Sequence, residues 1–125
     1  MIDHVSIEVA ELKKATDFYE RVLAAIGFKK LIEKPGTVGF GKKYPEFWLN
    51  HRPNKQKTPE DTGFHVCLRT SDIESVNKFH KAAIENGAKN SGEPGFRPDY
   101  HESYYAAFIK DKDQNHIEVV TFVSG

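Results

Sequence analysis

The chain has 125 residues, with 18 Lys and Arg, 18 Asp and Glu, and one cysteine. A formal net charge of zero without a block of like charge argues against nucleic acid or an anionic membrane as the main partner. The single thiol excludes an internal disulfide. The sequence shows no apolar run of the ~20 residues that a transmembrane helix needs, and no signal peptide is visible. We therefore predict one cytoplasmic domain.

In the first half of the chain, the spacing of the apolar side chains changes from that of a strand to that of a helix. Residues 2–9 alternate apolar and polar side chains, which is typical of a half-buried strand. Residues 12–26 instead carry apolar side chains at helical spacing, and Gly27 suits the end of that helix. Three short strands are then predicted, at residues 28–33, 37–41 and 46–51. The polar stretch 52–62 contains two prolines and no large apolar side chain, so we interpret it as a linker.

The second half of the chain repeats this order. A strand at 63–70 and a helix at 72–86 are followed by strands predicted within 90–100, at 103–110 and at 115–123. His4-Val5 recurs as His65-Val66 at an offset of 61 residues, and Phe18 falls on Phe79 at the same offset. We therefore predict an α+β domain of two βαβββ modules, residues 1–52 and 63–125, whose strands form a cupped mixed sheet with the helices on its convex face.

The sheet face that the helices leave uncovered carries polar residues. Val5, Ile7 and Val9 in the first module, and Phe64, Val66 and Leu68 in the second, are the side chains expected to face the helices. His4, His65 and Glu118 then share the concave face, where an unpaired carboxylate costs several kcal/mol. A single strand histidine is usually an ordinary half-buried residue. The repeated placement of the two histidines, with Glu118 in phase, favours a divalent metal site (Zn, Ni, Fe or Mn) that leaves positions open for substrate.

Several short motifs occur in a recognisable order. They are Asp3-His4-Val5, Phe18-Tyr19, Gly63-Phe64-His65-Val66 and the stretch DKDQNHIE at residues 111–118. Together they resemble the vicinal oxygen chelate superfamily, which includes glyoxalase I, bleomycin and fosfomycin resistance proteins and extradiol dioxygenases. The last turn of that family usually reads D-P-D-G-N-x-I-E, whereas this chain has Lys112 and Gln114 in place of the Pro and the Gly. The stretches 47–49 and 94–108 look like those of a bacterial glyoxalase-related subgroup.

The resemblance implies a metal held by His4, His65 and Glu118, a small substrate that chelates through adjacent oxygens, and a homodimer. It implies a metal-dependent lyase or isomerase of the lactoylglutathione lyase type, with Glu118 acting in the chemistry. Glyoxalase I carries a fourth ligand on its fourth strand, where pseudo-symmetry puts Trp48 here, and Glu46 would replace it only after a register shift. Two alternatives therefore stay open, an Fe(II) extradiol-type dioxygenase and a non-catalytic protein that binds a drug or other small molecule.

Further residues are candidates for the substrate pocket. Trp48 is suited either to stacking on a flat substrate or to core packing, and Cys67 to a pocket wall. The segment with Arg97, Tyr100, His101 and Tyr104 resembles a loop that closes over a pocket and binds an anionic group. His101 is the best acid/base alternative to the missing glutamate. His51, at the end of the predicted strand 46–51, and His80, in the second helix, are predicted at the surface.

Overall fold

A computed structural model describes residues 1–123. The elements in chain order are β1 (Val5–Val9), α1 (Leu12–Leu23), a 3-10 turn (Ala24–Ile26), β2 (Lys29–Lys34), β3 (Thr37–Gly41), β4 (Phe47–His51), β5 (Val66–Arg69), α2 (Ile73–Glu85), β6 (Lys89–Phe96), β7 (Tyr104–Lys110) and β8 (His116–Phe122). Each half therefore contains one strand, one helix and three further strands, which is the predicted order.

The strands form two four-stranded mixed sheets with the same topology. One has the order β1-β4-β3-β2 and the other β5-β8-β7-β6. In each sheet the first and last strands of the module pair in parallel, and the other pairs are antiparallel. The register is also the same, because Ser6 lies opposite Trp48 in the first sheet and Cys67 lies opposite Glu118 in the second. The predicted α+β fold of two repeated modules is confirmed.

Both helices bury one apolar face and stop where glycine permits the chain to turn. Gly27 after the 3-10 turn has φ +83°, and Gly87 after α2 has φ +99°, a region that glycine enters without steric cost. Asp72 caps α2 by accepting a hydrogen bond from the Ser75 backbone N–H at 2.7 Å, and this bond lowers the pKa of Asp72. Within residues 1–123, neither helix is long and apolar enough to cross a membrane.

One hydrophobic core serves both modules. Each helix packs on the sheet of its own module, and the two helices also contact each other. As a result, the buried side chains form one cluster to which both halves contribute, with Leu23, Phe40 and Phe47 from the first and Phe79, Ile109 and Ile117 from the second. Burial of such large side chains contributes on the order of 2 kcal/mol each to folding.

Two predictions about individual side chains are wrong. Phe64 was expected to face the helices, but β5 begins only at Val66, so the alternation does not reach back to Phe64 and its side chain is 61% exposed. His80 was expected at the surface, yet it is only 6% exposed because α2 packs against β6, where Asn90 Oδ1 accepts a hydrogen bond from His80 Nε2 at 2.9 Å.

The turn between β7 and β8 is built around a buried carboxylate. Asp111 Oδ1 accepts hydrogen bonds from the backbone N–H groups of Asp113 (2.9 Å) and Asn115 (2.8 Å). Its other oxygen accepts one from the hydroxyl of Tyr19 at 2.6 Å, across a sequence separation of 92 residues. Because Tyr19 belongs to α1, this contact fixes the last turn of the second module to the helix of the first.

The same turn reaches the end of β1. The Ala10 backbone N–H donates to Asp113 Oδ1 at 3.2 Å, and Asn115 Nδ2 donates to the backbone carbonyl of Glu8 at 2.9 Å. These bonds satisfy backbone groups that an edge strand would otherwise leave to water. The DKDQN stretch therefore joins the modules as well as connecting two strands.

Gln114 in this turn has φ 62°, in the left-handed region where the resembled family usually has glycine. A side chain in this region costs about 1 kcal/mol, partly offset because glycine has more freedom in the unfolded chain. We expect Gln114→Gly to raise the free energy of unfolding by about 0.5 kcal/mol in urea titrations. Gln56→Gly, at a loop position without positive φ, is the control and should not stabilise. A less stable Gln114→Gly protein would contradict the strain argument.

Candidate metal and substrate site

Glu118 is the most deeply buried carboxylate on the sheet face that the helices leave free. It lies in β8 and is 3% exposed. His65, just before β5, places Nε2 at 3.0 Å from Glu118 Oε1, and the hydroxyl of Tyr104 in β7 donates to Oε2. Both carboxylate oxygens therefore have a polar partner, which a buried carboxylate requires.

A cavity of about 470 Å³ opens in front of this cluster. Aromatic side chains form much of its wall, and His65 and Glu118 lie at its base. The Phe and Tyr residues of this wall are Phe64, Tyr100, Tyr104 and Phe108. Tyr100 and Tyr104 were predicted as pocket residues from the loop sequence. Phe64 and Phe108 were not, although Phe108 lies directly opposite Glu118 in the β7–β8 register and could have been found from the strand phase.

His4 lies in a different recess. This recess has about 530 Å³ and is lined by Asp3, His4, Ile32, Tyr44, Pro45 and Trp48. His4 Nδ1 is 2.8 Å from Asp3 Oδ2, and its ring meets the Trp48 ring edge-on with 6.4 Å between centroids. Within residues 1–123 of one chain, no three His, Cys, Asp or Glu side chains are close enough together to hold a metal ion. One chain thus brings His65 and Glu118 together but leaves His4 apart.

Trp48 occupies the position that corresponds to Glu118. Ser6, two residues after His4, lies opposite Trp48 in the first sheet. Cys67, two residues after His65, lies opposite Glu118 in the second. Glu46 lies just before β4, where its backbone pairs with Phe40 and Val5, and its half-buried side chain lines neither recess. In this register, the first sheet contributes an indole where the second contributes a carboxylate.

Arg97 is held by its own strand. One guanidinium nitrogen donates to the Glu93 carbonyl at 2.6 Å, and the guanidinium lies over the ring of Phe108 at 5.4 Å from the centroid. It is absent from the residues that line the cavity in front of Glu118. The Arg97 side chain therefore supports the aromatic wall from behind and does not reach into the cavity.

His101 points away from the same cavity. Its Nδ1 accepts a hydrogen bond from the Ser103 backbone N–H at 3.0 Å, and its ring meets Phe122 edge-on at 6.5 Å. It does not line the cavity in this structure. Its use as an acid or base would need the 97–103 loop to move.

His116 lines the cavity beside His65, and its phase with Glu118 in the predicted last strand is the signal that could have identified it. Its Nε2 is buried without a hydrogen-bond partner among the described residues. Burial lowers the pKa of His116, with contributions from the positive charges of Lys110 and His65.

Cys67 was predicted as a pocket wall, but it does not line the cavity; it is an exposed residue that lies opposite Glu118 in the β5–β8 register. Partial desolvation of its thiol against the sheet, followed by the charge of Glu118, raises the pKa of Cys67 to about 12. At pH 8 only ~0.01% of such a thiol is ionised, so we expect iodoacetamide to alkylate the metal-free native protein at least ~100-fold more slowly than the urea-unfolded chain. Because the chain has one cysteine, mass spectrometry gives the rate directly. Equal rates for native and unfolded protein would show that the thiol is not protected.

The fold agrees with a comparison to known families. The model of the glyoxalase/bleomycin resistance protein/dioxygenase superfamily matches residues 1–119. The chain belongs to this superfamily. No protein with a curated description matches the chain.

Solved structures of superfamily proteins resemble the chain over nearly its whole length. A glyoxalase/bleomycin resistance protein from Albidiferax ferrireducens has 25% identity and a TM-score of 0.83, with 95% of this chain and 97% of that one covered. A glyoxalase/bleomycin resistance protein/dioxygenase family enzyme from Burkholderia phytofirmans has 20% identity, 98% coverage of both chains and a TM-score of 0.73. A genomically encoded fosfomycin resistance protein, FosX, from Listeria monocytogenes has 15% identity and a TM-score of 0.71, covering 98% of this chain and 93% of that one. The last two comparisons show the shared fold.

Proposed function

We propose that this superfamily member is a metal-dependent, glyoxalase-like lyase or isomerase acting on a small substrate that binds through adjacent oxygens. The observation that supports this most is the 3.0 Å separation of His65 Nε2 and Glu118 Oε1 at the base of a cavity. Imidazole nitrogen and carboxylate oxygen are donors that divalent metals take, and two donors of one ion lie about 3.0–3.4 Å apart. The imidazole and carboxylate therefore fit a shared Zn, Ni, Fe or Mn ion.

The surrounding side chains suit this role. The Tyr104 hydroxyl donates to one oxygen of Glu118 and so fixes the orientation of the carboxylate, whose other oxygen would bind the metal. A bound divalent metal polarises two adjacent substrate oxygens as a Lewis acid. The aromatic wall, including Tyr100 and Phe108, excludes water from the substrate. Among the described residues, Glu118 is the one carboxylate that lines the cavity, so it would be the group that transfers a proton to or from a substrate bound there.

The missing ligand, His4, comes in this proposal from a second copy of the chain. Within the sheets that residues 1–123 form, β1 and β5 are both edge strands, and each leaves one side without a strand partner. Large apolar side chains just before these edges face solvent, with Ile2 80% and Phe64 61% exposed. A two-fold homodimer that covers both edges places the His4 half of one protomer against the His65–Glu118 half of the other.

Metal binding is the first test of the proposal. We expect isothermal titration of the metal-free protein with Zn, Ni, Mn and Fe(II) to give one metal per chain. Glu118→Gln should weaken binding at least ~100-fold, whereas Glu46→Gln, a carboxylate outside both recesses, should change it less than ~3-fold. Loss of binding in both variants would instead make Glu46 a ligand. The absence of any stoichiometric metal would end the proposal.

Turnover is the second test. The loaded protein is assayed with the hemithioacetal of methylglyoxal and glutathione and with related hydroxycarbonyl compounds. Oxygen uptake with catechols on Fe(II)-loaded protein would instead identify a ring-cleaving dioxygenase, the alternative that a His₂Glu set also suits.

Non-catalytic binding of a small molecule is the second candidate function, and the aromatic walls of both recesses favour it. Affinity for such a ligand would not depend on the metal ligands. His65→Ala would then leave ligand affinity unchanged, whereas the metal-dependent proposal requires it to fall.

A further inference from the structure

The Trp48 ring packs against β3 at a position where a glycine leaves room for it. Gly39 in β3 lies directly opposite Trp48 in β4. A Cβ built on Gly39 would come within 2.9 Å of Trp48 Cζ3 and 3.0 Å of Cε3, and within 3.0 Å of Pro45 Cβ. Such distances are shorter than real carbon contacts, so only glycine lets the indole rest here.

The other side of the indole borders the open recess that contains His4. Trp48 is half-buried, and Tyr44 and His4 beside it are exposed. Here the ring is supported by β3 and remains accessible in a recess of about 530 Å³.

The charge of this recess limits what it attracts. Of the residues that the structure describes, Asp3 is the only carboxylate that lines the recess, and no Lys or Arg lines it. Asp3 pairs with His4 but is itself largely exposed, so the rim has a negative group without a fixed cationic partner. Asp3 would repel an anionic ring and would not oppose a neutral one, whereas a cationic ring would be attracted to both the carboxylate and the indole face.

We propose that Trp48 is the stacking surface for a flat, conjugated ring in the ligand, and that this ring is neutral or positively charged. The inference deepens the proposed function, because adjacent oxygens at the metal and a ring on Trp48 would belong to one substrate. It narrows the substrate class from any small chelating molecule to one with a planar aromatic or heteroaromatic group.

The experiment uses metal-free protein, so that it does not depend on the metal site. Trp48 is the only tryptophan, and its fluorescence therefore reports this recess alone. Titration with 1-methylquinolinium, a flat cation, should give saturable quenching with an unchanged fluorescence lifetime, which is the signature of a stacked ground-state complex. The saturated cation N,N-dimethylpiperidinium should not quench or compete. Quenching that shortens the lifetime linearly, without saturation, would overturn the proposal.

Variants measured by calorimetry provide the second readout. Trp48→Leu should weaken 1-methylquinolinium binding at least ~10-fold, and Trp48→Phe, which keeps a flat ring, should restore most of it. Gly39→Ala should weaken binding ~5-fold or more, because the new methyl group displaces the indole. Gly36→Ala is the matched control, since a Cβ on Gly36 has nothing within 4 Å. Equal binding by Trp48→Leu and wild type would refute the stacking role even if Gly39→Ala misfolds.

The two proposals fail separately. Stoichiometric metal binding without stacking would leave the proposed function and remove the planar substrate class. Stacking on Trp48 without metal binding would remove the metal-dependent function and keep Trp48 as the recognition surface of a binding protein.

Discussion

A heterodimer of one His4→Ala chain and one His65→Ala chain should bind one metal ion per dimer with an affinity within ~3-fold of wild type. Each parent homodimer should bind at least ~100-fold more weakly, a loss of about 2.7 kcal/mol. If sites form between protomers, the His65→Ala chain supplies an intact His4, and the His4→Ala chain supplies intact His65 and Glu118. The other site of the heterodimer lacks both histidines. Two affinity tags isolate the heterodimer, and calorimetry gives the stoichiometry.

A second heterodimer controls for nonspecific rescue. Pairing a His65→Ala chain with a Glu118→Ala chain leaves both sites defective, because these two ligands come from the same half of one chain. No strong metal site should appear. If instead His4 reaches the other ligands within its own chain, neither heterodimer recovers binding, and the shared site is refuted.

Asp111→Ala should lower the free energy of unfolding by about 3 kcal/mol or more. It removes the acceptor for Tyr19 and for the backbone N–H groups of Asp113 and Asn115, and leaves these donors without a partner. Tyr19→Phe removes a single donor and should cost about 1 kcal/mol. Urea titrations measure both, and Asp99→Ala, at an exposed loop position, is the control and should be nearly neutral. A loss no larger than that of Asp99→Ala would contradict the junction described above.

The same carboxylate makes stability depend on pH in an unusual direction. Burial raises the pKa of Asp111, although hydrogen bonds from Tyr19 and Asn115 act against this effect. Because the native pKa lies above the unfolded one, the contribution to stability is greatest below the unfolded pKa and is lost as pH rises through the native pKa. Wild type should therefore gain stability relative to Asp111→Asn as the pH is lowered towards 4. A gain in the opposite direction would show that the hydrogen bonds outweigh burial.

The strand and helix spacings of the apolar residues were sufficient to predict the two modules, because each strand and each helix has one buried face. They also placed His65 and Glu118 on one face, since both residues are in phase on strands that pair. They could not predict that His4 lies in another recess. That depends on how two sheets pack, and the phase of a strand carries no information about it.

Other features depended on contacts that are distant in the sequence. Tyr19 was predictable as an apolar position of α1, but its hydroxyl partner lies 92 residues away. The burial of His80 depends on β6 packing against α2. Arg97 and His101 belong to a segment whose composition is typical of a ligand-binding loop. Their hydrogen bonds, from Arg97 to Glu93 and from Ser103 to His101, instead hold both side chains outside the cavity.

The shared core has a consequence for how this repeated chain unfolds. Each half resembles a small domain, yet the buried cluster and the Tyr19–Asp111 bond belong to both halves. Neither half has a complete interior of its own, so separating them would expose apolar surface on both. Heat or denaturant should therefore melt the repeats in a single cooperative transition. The strand that carries Glu118 would keep its place only while the helix of the first repeat remains folded.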